Sequence, residues 1–344
     1  VSRLVVVANG EALVLTAPRR PLWRRPMYRA LWKVQRNVWG RAFLDLGGDH
    51  QSAVYVAGSG RSGTTWLAEV INYRNAYRYM FEPLTPPHVP EFQHLLRGQY
   101  LRPENRDPAY LEPMTSVLNG RLRHRWVDYY NRRPVATHRL IKDVYANLML
   151  KWIQVNFPGM PIVLVLRHPC AVLTSRLSLA PRDLHQRFEP DLERFLQQAD
   201  LMADLIAPFE NGIRDASTPL ERHAYWWCVE NYVPLRMCAR GEIHAVCYER
   251  LRTEPAEEIP RLGAFTGRAF DPVVFTRMRR RSLTTGPHSA LQMNGEPITN
   301  WTRQWSREDV KRVVRILSRF GLDEIYTDSP MPKVQGISAL QERS

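Results

Sequence analysis

The sequence predicts an α/β fold, a doubly wound parallel sheet flanked by helices in a single catalytic domain, and three observations carry that prediction. Short apolar runs alternate with segments of helical periodicity along most of the chain. Three of those runs are nearly continuous, as strands covered on both faces of a parallel sheet must be. A glycine-rich turn also joins the first of them directly to a helical pattern.

The strands expected, in order, are "AVYVAG" (Ala53 to Gly58), "RLIKDV" (Arg139 to Val144), "PIVLVLR" (Pro161 to Arg167) and "IHAVCYE" (Ile243 to Glu249). After the first comes "TTWLAEVINYRNAY", which places Trp66, Leu67, Val70 and Ile71 on one helical face. Between the second and third, "NLMLKWIQVNF" reads as a helix closed by the turn "PGMP", completing a βαβ unit. Asp191 to Ala239 reads as two long helices broken near "NGIRDASTP", and "SREDVKRVVRILSRFG" as a helix capped by Ser306 and stopped by Gly321. The domain organisation expected is an extension over 1–50, a catalytic domain over 51–326 and a polar tail over 327–344.

Bulk properties narrow the setting. A chain of 344 residues with 44% hydrophobic content can bury one large core or two modest ones. No run approaches the roughly 18 apolar residues of a membrane span, and Gly10 and Glu11 interrupt what would be a leader's apolar stretch, so a soluble cytoplasmic protein is expected. Cys170, Cys228, Cys238 and Cys247 form no CxxC pair and no zinc-type spacing with histidine, which suits buried thiols in a reducing compartment and predicts no metal site.

The formal charge of +14 points to anionic partners. Between Arg19 and Arg41 there are eight Arg or Lys and no carboxylate, with Met27, Leu31, Val34 and Val38 at helical spacing. Such a basic amphipathic helix suits a peripheral membrane contact or a cover over an anionic ligand; equally it suits a helix packed on the core with a solvated basic back.

The chemistry begins at "GSGRSGTTW". Gly58, Gly60 and Gly63 allow the backbone to curl so that successive N–H groups converge, and the following helix adds the positive end of its dipole, as a phosphate site requires. Ser62, Thr64 and Thr65 add hydroxyls and Arg61 a fixed charge. Thr64 and Thr65 stand where an ATP-hydrolysing loop carries Lys followed by Ser or Thr. In "LVLRHPCAVLTSRL", Arg167 leaves the carboxyl end of a buried strand and Ser175 lies about two turns into the helix opened by Pro169, so Arg167 faces the same crevice as the loop. That strand ends without the Asp that would hold magnesium, so the ligand expected is one whose chemistry is metal-free.

These residues resemble the P-loop-type sulfotransferases that use 3′-phosphoadenosine 5′-phosphosulfate (PAPS), the carbohydrate-type and bacterial members in particular. "GSGRSGTTW" is similar to that family's 5′-phosphosulfate loop, "RHPCAVLTSR" to its 3′-phosphate motif, and "YERLRTEPAEEIPRLGAFTG" to its later Tyr-Glu-x-Leu segment, in the family's order across about two-thirds of the chain. The resemblance implies donor contacts from Gly60, Arg61, Ser62, Gly63, Thr64, Thr65, Arg167 and Ser175, with Arg61 catalytic in place of the basic residue that meets the bridging and transferring oxygens, stacking of Trp66 on adenine, and Tyr248 beside it. For Trp66 and Tyr248 ordinary core packing is the competing reading.

Sulfuryl transfer also needs a base for the acceptor proton. Glu82, in "RYMFEPL", resembles the Glu-Pro of carbohydrate-type members, where a glutamate is the base; His138, in "THRLIKD", is the competitor, and Lys142 is placed to stabilise the bridging oxygen. The loop that would close on the 3′-phosphate has two candidates, "TRMRRRSLTTG" (Arg277, Arg279, Arg280, Arg281) and "NWTRQW". Pro86, Pro87, Pro90, Trp226 and Trp227 are candidates to shape the acceptor pocket, with helix core the alternative for the tryptophans. A carbohydrate, glycolipid or small metabolite is the acceptor expected, and no nucleic acid. The rivals are a P-loop small-molecule kinase, against which the missing Lys and Asp count, and a basic polyanion-binding or nucleic-acid-binding protein, supported by the Arg19 to Arg41 segment.

Overall fold

The computed structural model describes residues 42–177, 189–280, 282 and 298–342, and the backbone of 3–8 and 11–16. The basic helix expected between Arg19 and Arg41 lies outside the described residues. Strands β1 (Arg3–Ala8) and β2 (Glu11–Thr16) pair antiparallel as a hairpin.

Five parallel strands form the main sheet: β4 (Ala53–Gly58), β5 (Arg78–Phe81), β7 (Arg139–Lys142), β8 (Ile162–Leu166) and β9 (His244–Cys247). Their spatial order is β5-β7-β4-β8-β9. The first of them in sequence is therefore central, and the chain turns from one side of it to the other between β7 and β8, so the crevice at the carboxyl end of β4 is the topological switch point. Alternation along β4 divides the core. Tyr55 and Ala57 face the larger cluster, with Trp152, Trp226 and Trp227, whereas Val54 and Val56 face the smaller one, with Leu67, Val70 and Leu262.

The helices include α1 (Thr64–Ile71), α2 (Pro108–Leu118), α3 (Leu150–Asn156), α4 (Pro169–Leu177), α5 (Pro219–Met237), α6 (Tyr248–Thr253), α7 (Pro255–Thr266), α8 (Val273–Met278) and α9 (Arg307–Arg319). Helix α5 starts in a capping box between Thr218 and Glu221, and α9 starts where Ser306 accepts from the Asp309 N–H, an arrangement whose loss costs about 1 kcal/mol. Gly321, just past α9, has φ 69°, the left-handed conformation that ends a helix.

The structure differs from the sequence reading in five places. "RYMF" forms the unexpected strand β5, too short at four residues to show a period, and stabilised by pairing with β7. The strand expected to run to Val144 ends at Lys142, and the one expected to run to Glu249 ends at Cys247, where Tyr248 opens α6. The first of the two helices expected after Asp191 is a series of short α, 3-10 and π turns between Glu193 and Arg214; the second is α5. The stretch 327–344, read as a polar tail, contains α10 (Gln335–Glu342), whose Ile337 and Leu340 are buried.

The amino-terminal boundary is also tied down. The two-residue strands β3 (Leu44–Asp45) and β6 (Val135–Ala136) pair in parallel. Asp45 receives Arg78 at 2.9 Å and Arg139 at 2.8 Å, and Arg78 is also held by Asp128 at 2.9 Å, all four side chains being buried. Burial would push the Asp45 carboxyl up, but the hydrogen bonds from Arg139 and Arg78 outweigh it and hold it below the usual carboxylate range. This network pins the amino ends of β5 and β7 and leaves their carboxyl ends to carry the site.

Candidate functional site

The loop between β4 and α1 is a tight cradle. Gly58 has φ 155° and a Cβ there would stand 2.7 Å from the Val165 carbonyl oxygen; Gly63 has φ 97° and a Cβ would stand 2.6 Å from the Tyr248 ring. Only glycine fits either place. Arg61 at the bend also has positive φ, 79°, a cost a non-glycine residue accepts only where the surroundings enforce it. Here they do: the Ser62 N–H donates to the Ser59 carbonyl at 3.0 Å, Arg176 donates to the Gly60 carbonyl at 3.2 Å, and Asn231 on α5 donates to Ser59 Oγ at 3.1 Å. Arg176 is in turn paired with Glu230 at 2.9 Å, both side chains buried. Ser62 Oγ is buried within the loop without a hydrogen-bond partner, an orphan donor at the mouth of α1 that fits an anion in the cradle.

Three residues from the two phosphate-type motifs meet. Arg61 Nε donates to Ser175 Oγ at 2.8 Å, and Arg167 Nη1 donates to the Arg61 carbonyl at 3.0 Å. The Arg167 guanidinium also lies 4.5 Å from the Tyr248 ring centroid. Tyr248 meets Trp66 edge to face, centroids 5.3 Å apart, and Trp66 Nε1 donates to the Met278 carbonyl at 3.3 Å. Arg167, Tyr248, Trp66 and the end of α8 thus form one continuous wall beside the loop.

Sheet register brings Glu82 to Lys142. Phe81 is paired with Lys142 across β5 and β7, and Val56 with Lys142 across β4 and β7. Lys142 therefore stands at the carboxyl edge with the glycine loop on one side and Glu82, the residue after β5, on the other. Lys142 Nζ pairs with Glu82 Oε1. Glu82 has φ 45°, and three hydrogen bonds enforce that turn: its N–H to the Lys142 carbonyl at 2.7 Å, Trp126 Nε1 to its carbonyl at 3.3 Å, and the Leu84 N–H to the Asp143 carboxylate at 3.1 Å. Asp143 also accepts from the Tyr145 N–H at 2.6 Å. Burial pushes its carboxyl up to about 6, against the pull of those two N–H groups.

His138 is not part of this group. It precedes β7 at the amino edge of the sheet, four residues from Lys142 and so about 13 Å away along an extended chain, with its Nδ1 2.9 Å from Thr137 Oγ1. Burial and the charges of Arg268 and Arg139 lower its affinity for a proton. Trp226 and Trp227 are buried on α5, Trp226 against Phe195 at 4.2 Å and Trp227 against Tyr326 at 5.9 Å, which makes them core. Of the two candidate closing loops, "NWTRQW" packs on α4: Trp301 stacks on His168 at 4.2 Å and Trp305 Nε1 donates to Thr174 Oγ1 at 2.5 Å. In the other, Arg277 pairs with Glu69 of α1, Arg279 and Arg280 are exposed beyond Met278, and Arg281 lies outside the described residues.

Residues not singled out in the sequence complete the site. Arg97 lies over the Tyr145 ring at 5.3 Å, and its Nη2 would stand 3.3 Å from a Cβ on Gly60. Asp143, Tyr145, Arg176, Glu230 and Asn231 join it. A single arginine before Gly98 in "QHLLRGQY" gives no spacing from which this position could have been read. Among the described residues no group of His, Cys, Asp and Glu could hold a metal ion, the four cysteines are free and buried, and no helix is long and apolar enough to cross a membrane.

A parallel sheet whose switch point carries a glycine cradle, two linked arginines and a carboxylate–lysine pair defines an α/β protein with a crevice suited to a phosphate-bearing ligand. The model of the sulfotransferase family matches residues 53–272, more than half of the chain, and the chain belongs to that family. No curated protein matches the sequence. Similar solved structures include the sulfotransferase domain of the curacin biosynthetic pathway (15% identity, 80% of this chain and 98% of that one, TM-score 0.41), a mouse sulfotransferase, SULT7A1, complexed with PAP (12%, 92% and 94%, 0.38) and retinol dehydratase in a complex with retinol and PAP (17%, 88% and 88%, 0.37).

Proposed function

We propose that this sulfotransferase takes its sulfuryl group from PAPS and moves it in line to a hydroxyl or amine of a carbohydrate, glycolipid or small metabolite, with Glu82 as the base. The observation that carries this reading is the Arg61–Ser175 hydrogen bond with Arg167 behind it, which draws two motifs 114 residues apart into one site. PAPS supplies an activated sulfuryl group whose leaving group is the 5′-phosphate of PAP.

The chain's own residues divide the remaining work. The loop N–H groups with Ser62, Thr64 and Thr65 hold the 5′ end, and Arg167 and Ser175 hold the 3′-phosphate, for which a planar guanidinium is suited. Trp66 and Tyr248 line the adenine side. Arg279 and Arg280, which follow the Met278 carbonyl bonded to Trp66, are the better placed candidates to cover it. Glu82 accepts the acceptor's proton, and Lys142, already its ion-pair partner, turns to the oxygen that gains charge as the bond to sulfur breaks. His138, at the far edge of the sheet, has no part in the step.

The test is to incubate the protein with sulfur-labelled PAPS, a panel of hydroxyl and amine acceptors, and EDTA. Label transferred to an acceptor without divalent metal supports the reading. Label left wholly in PAPS across a broad panel, or turnover of magnesium ATP in its place, rejects it.

A further inference from the structure

Arg97 occupies a position that neither phosphate motif explains. It follows β5 by sixteen residues, outside every motif, yet its guanidinium abuts Gly60 of the cradle and is stacked on Tyr145, whose N–H is held by Asp143. Burial lowers the affinity of the guanidinium for its proton, while the charges of Glu230, Tyr145 and Glu82 raise it and that of Arg176 lowers it. Glu82 and Glu230 are the carboxylates on either flank: one follows β5 on the acceptor side, the other is on α5 behind the loop and already paired with Arg176. Arg97 therefore stands against the loop that would hold the donor, within reach of the charge of the carboxylate that would deprotonate the acceptor.

Resting on the PAPS reading above, we propose that Arg97 is a further catalytic residue, a cation that contacts the oxygens of the sulfuryl group itself and not the phosphates of the nucleotide. In the transfer the acceptor oxygen forms its bond to sulfur as the bond from sulfur to the bridging oxygen breaks; the acceptor proton goes to Glu82 and the electron pair leaves with PAP. The three sulfuryl oxygens keep their charge throughout and lie between the two reacting oxygens, where a preorganised guanidinium in a site partly closed to water is most effective. Its planar fork can meet two of those oxygens with paired, parallel hydrogen bonds, a geometry that an ammonium does not preset.

Because PAPS and PAP differ by the sulfuryl group, the proposal can be tested without knowing the acceptor. Calorimetric titration of the wild type, Arg97→Met and Arg97→Lys with each nucleotide should show PAP affinity within about threefold in all three proteins, and PAPS affinity falling about tenfold or more in Arg97→Met with partial recovery in Arg97→Lys. Equal losses for both nucleotides would make Arg97 a prop of the loop, and unchanged affinities for both would remove it from the site; either result overturns the proposal. Should Arg97→Met not fold, Arg97→Gln and Arg97→Lys carry the same comparison. If the wild type binds neither nucleotide, it is the PAPS reading that fails, a result distinct from any of these.

Discussion

Arg61 Nε donates to Ser175 Oγ at 2.8 Å, and the carbonyl of the same Arg61 accepts from Arg167 at 3.0 Å. One residue of the glycine loop therefore ties together the groups proposed to bind opposite ends of the donor. Arg61 holds this place with φ 79°, a conformation that costs about 1–3 kcal/mol for a residue with a Cβ. The bonds to Ser175 and Arg167 also preset the distance between the two proposed phosphate sites.

Removing Ser175 should expose that coupling. Ser175→Ala loses a hydroxyl for the 3′-phosphate and releases Arg61, so PAP binding should weaken about tenfold, with a further drop for Arg167→Ala in line with a charged hydrogen bond worth about 1.5–3 kcal/mol. The two losses should not add, because both changes free Arg61. Calorimetry on the two single variants and the double variant checks this, and full additivity would show the residues to act apart.

Glu82 and His138 give opposite expectations. Glu82→Gln keeps the shape of the turn and should lower turnover about 10²–10⁴-fold with PAP affinity within about threefold, whereas His138→Ala should leave turnover within about twofold. Steady-state rates with any acceptor that works decide it. A large loss in His138→Ala with little change in Glu82→Gln would reverse the assignment.

Gly63→Ala should fail twice over. The new Cβ meets the Tyr248 ring at 2.6 Å, and φ 97° is strained for alanine, so a stability loss of about 1–3 kcal/mol in urea unfolding is expected. Loss of PAP binding should accompany it, since relief of the clash must displace either the loop or the wall carrying Tyr248.

Acid should destabilise the protein through His168. Burial lowers this histidine to about 4; its Nδ1 accepts from the Cys170 N–H at 3.2 Å, so Nε2 carries the hydrogen that meets the Thr327 carbonyl at 3.0 Å. A proton on Nδ1 would oppose the Cys170 N–H. The folded pKa lies below the unfolded value of about 6.5, so the unfolded chain binds more protons in this window and stability falls as pH drops from about 6.5 toward 4, by about 3 kcal/mol from this group. Asp143 has the opposite sign: raised to about 6, it favours the folded state at the acid end and loses that contribution as pH rises from about 4 to 6. Unfolding measured from pH 4 to 7 in wild type, His168→Asn and Asp143→Asn separates them. The first variant should flatten the acid loss and the second should steepen it.

The legible parts of the molecule were those encoded by local pattern. Ala53 to Gly58 matched β4 residue for residue, and Ser306 and Gly321 marked the ends of α9, because buried strands and capped helices are written in consecutive residues. β5 was missed because its four residues acquire strand character from β7. The same register, Phe81 beside Lys142, joins Glu82 to Lys142, so the sequence supplied both residues but not their contact. His138 and Lys142 belong to one short segment, and only the direction of β7 shows that the histidine is at the wrong end. Arg97 depends on a long loop folding back onto Gly60, which no spacing expresses.

The identity of the nucleotide decides the proposed function, and titration calorimetry with 3′,5′-adenosine bisphosphate, against ATP with magnesium, tests it most directly. Tight binding of the bisphosphate in EDTA, weakened about tenfold or more in Arg167→Ala, is the predicted result. A preference for magnesium ATP, or bisphosphate binding indifferent to Arg167, would contradict it.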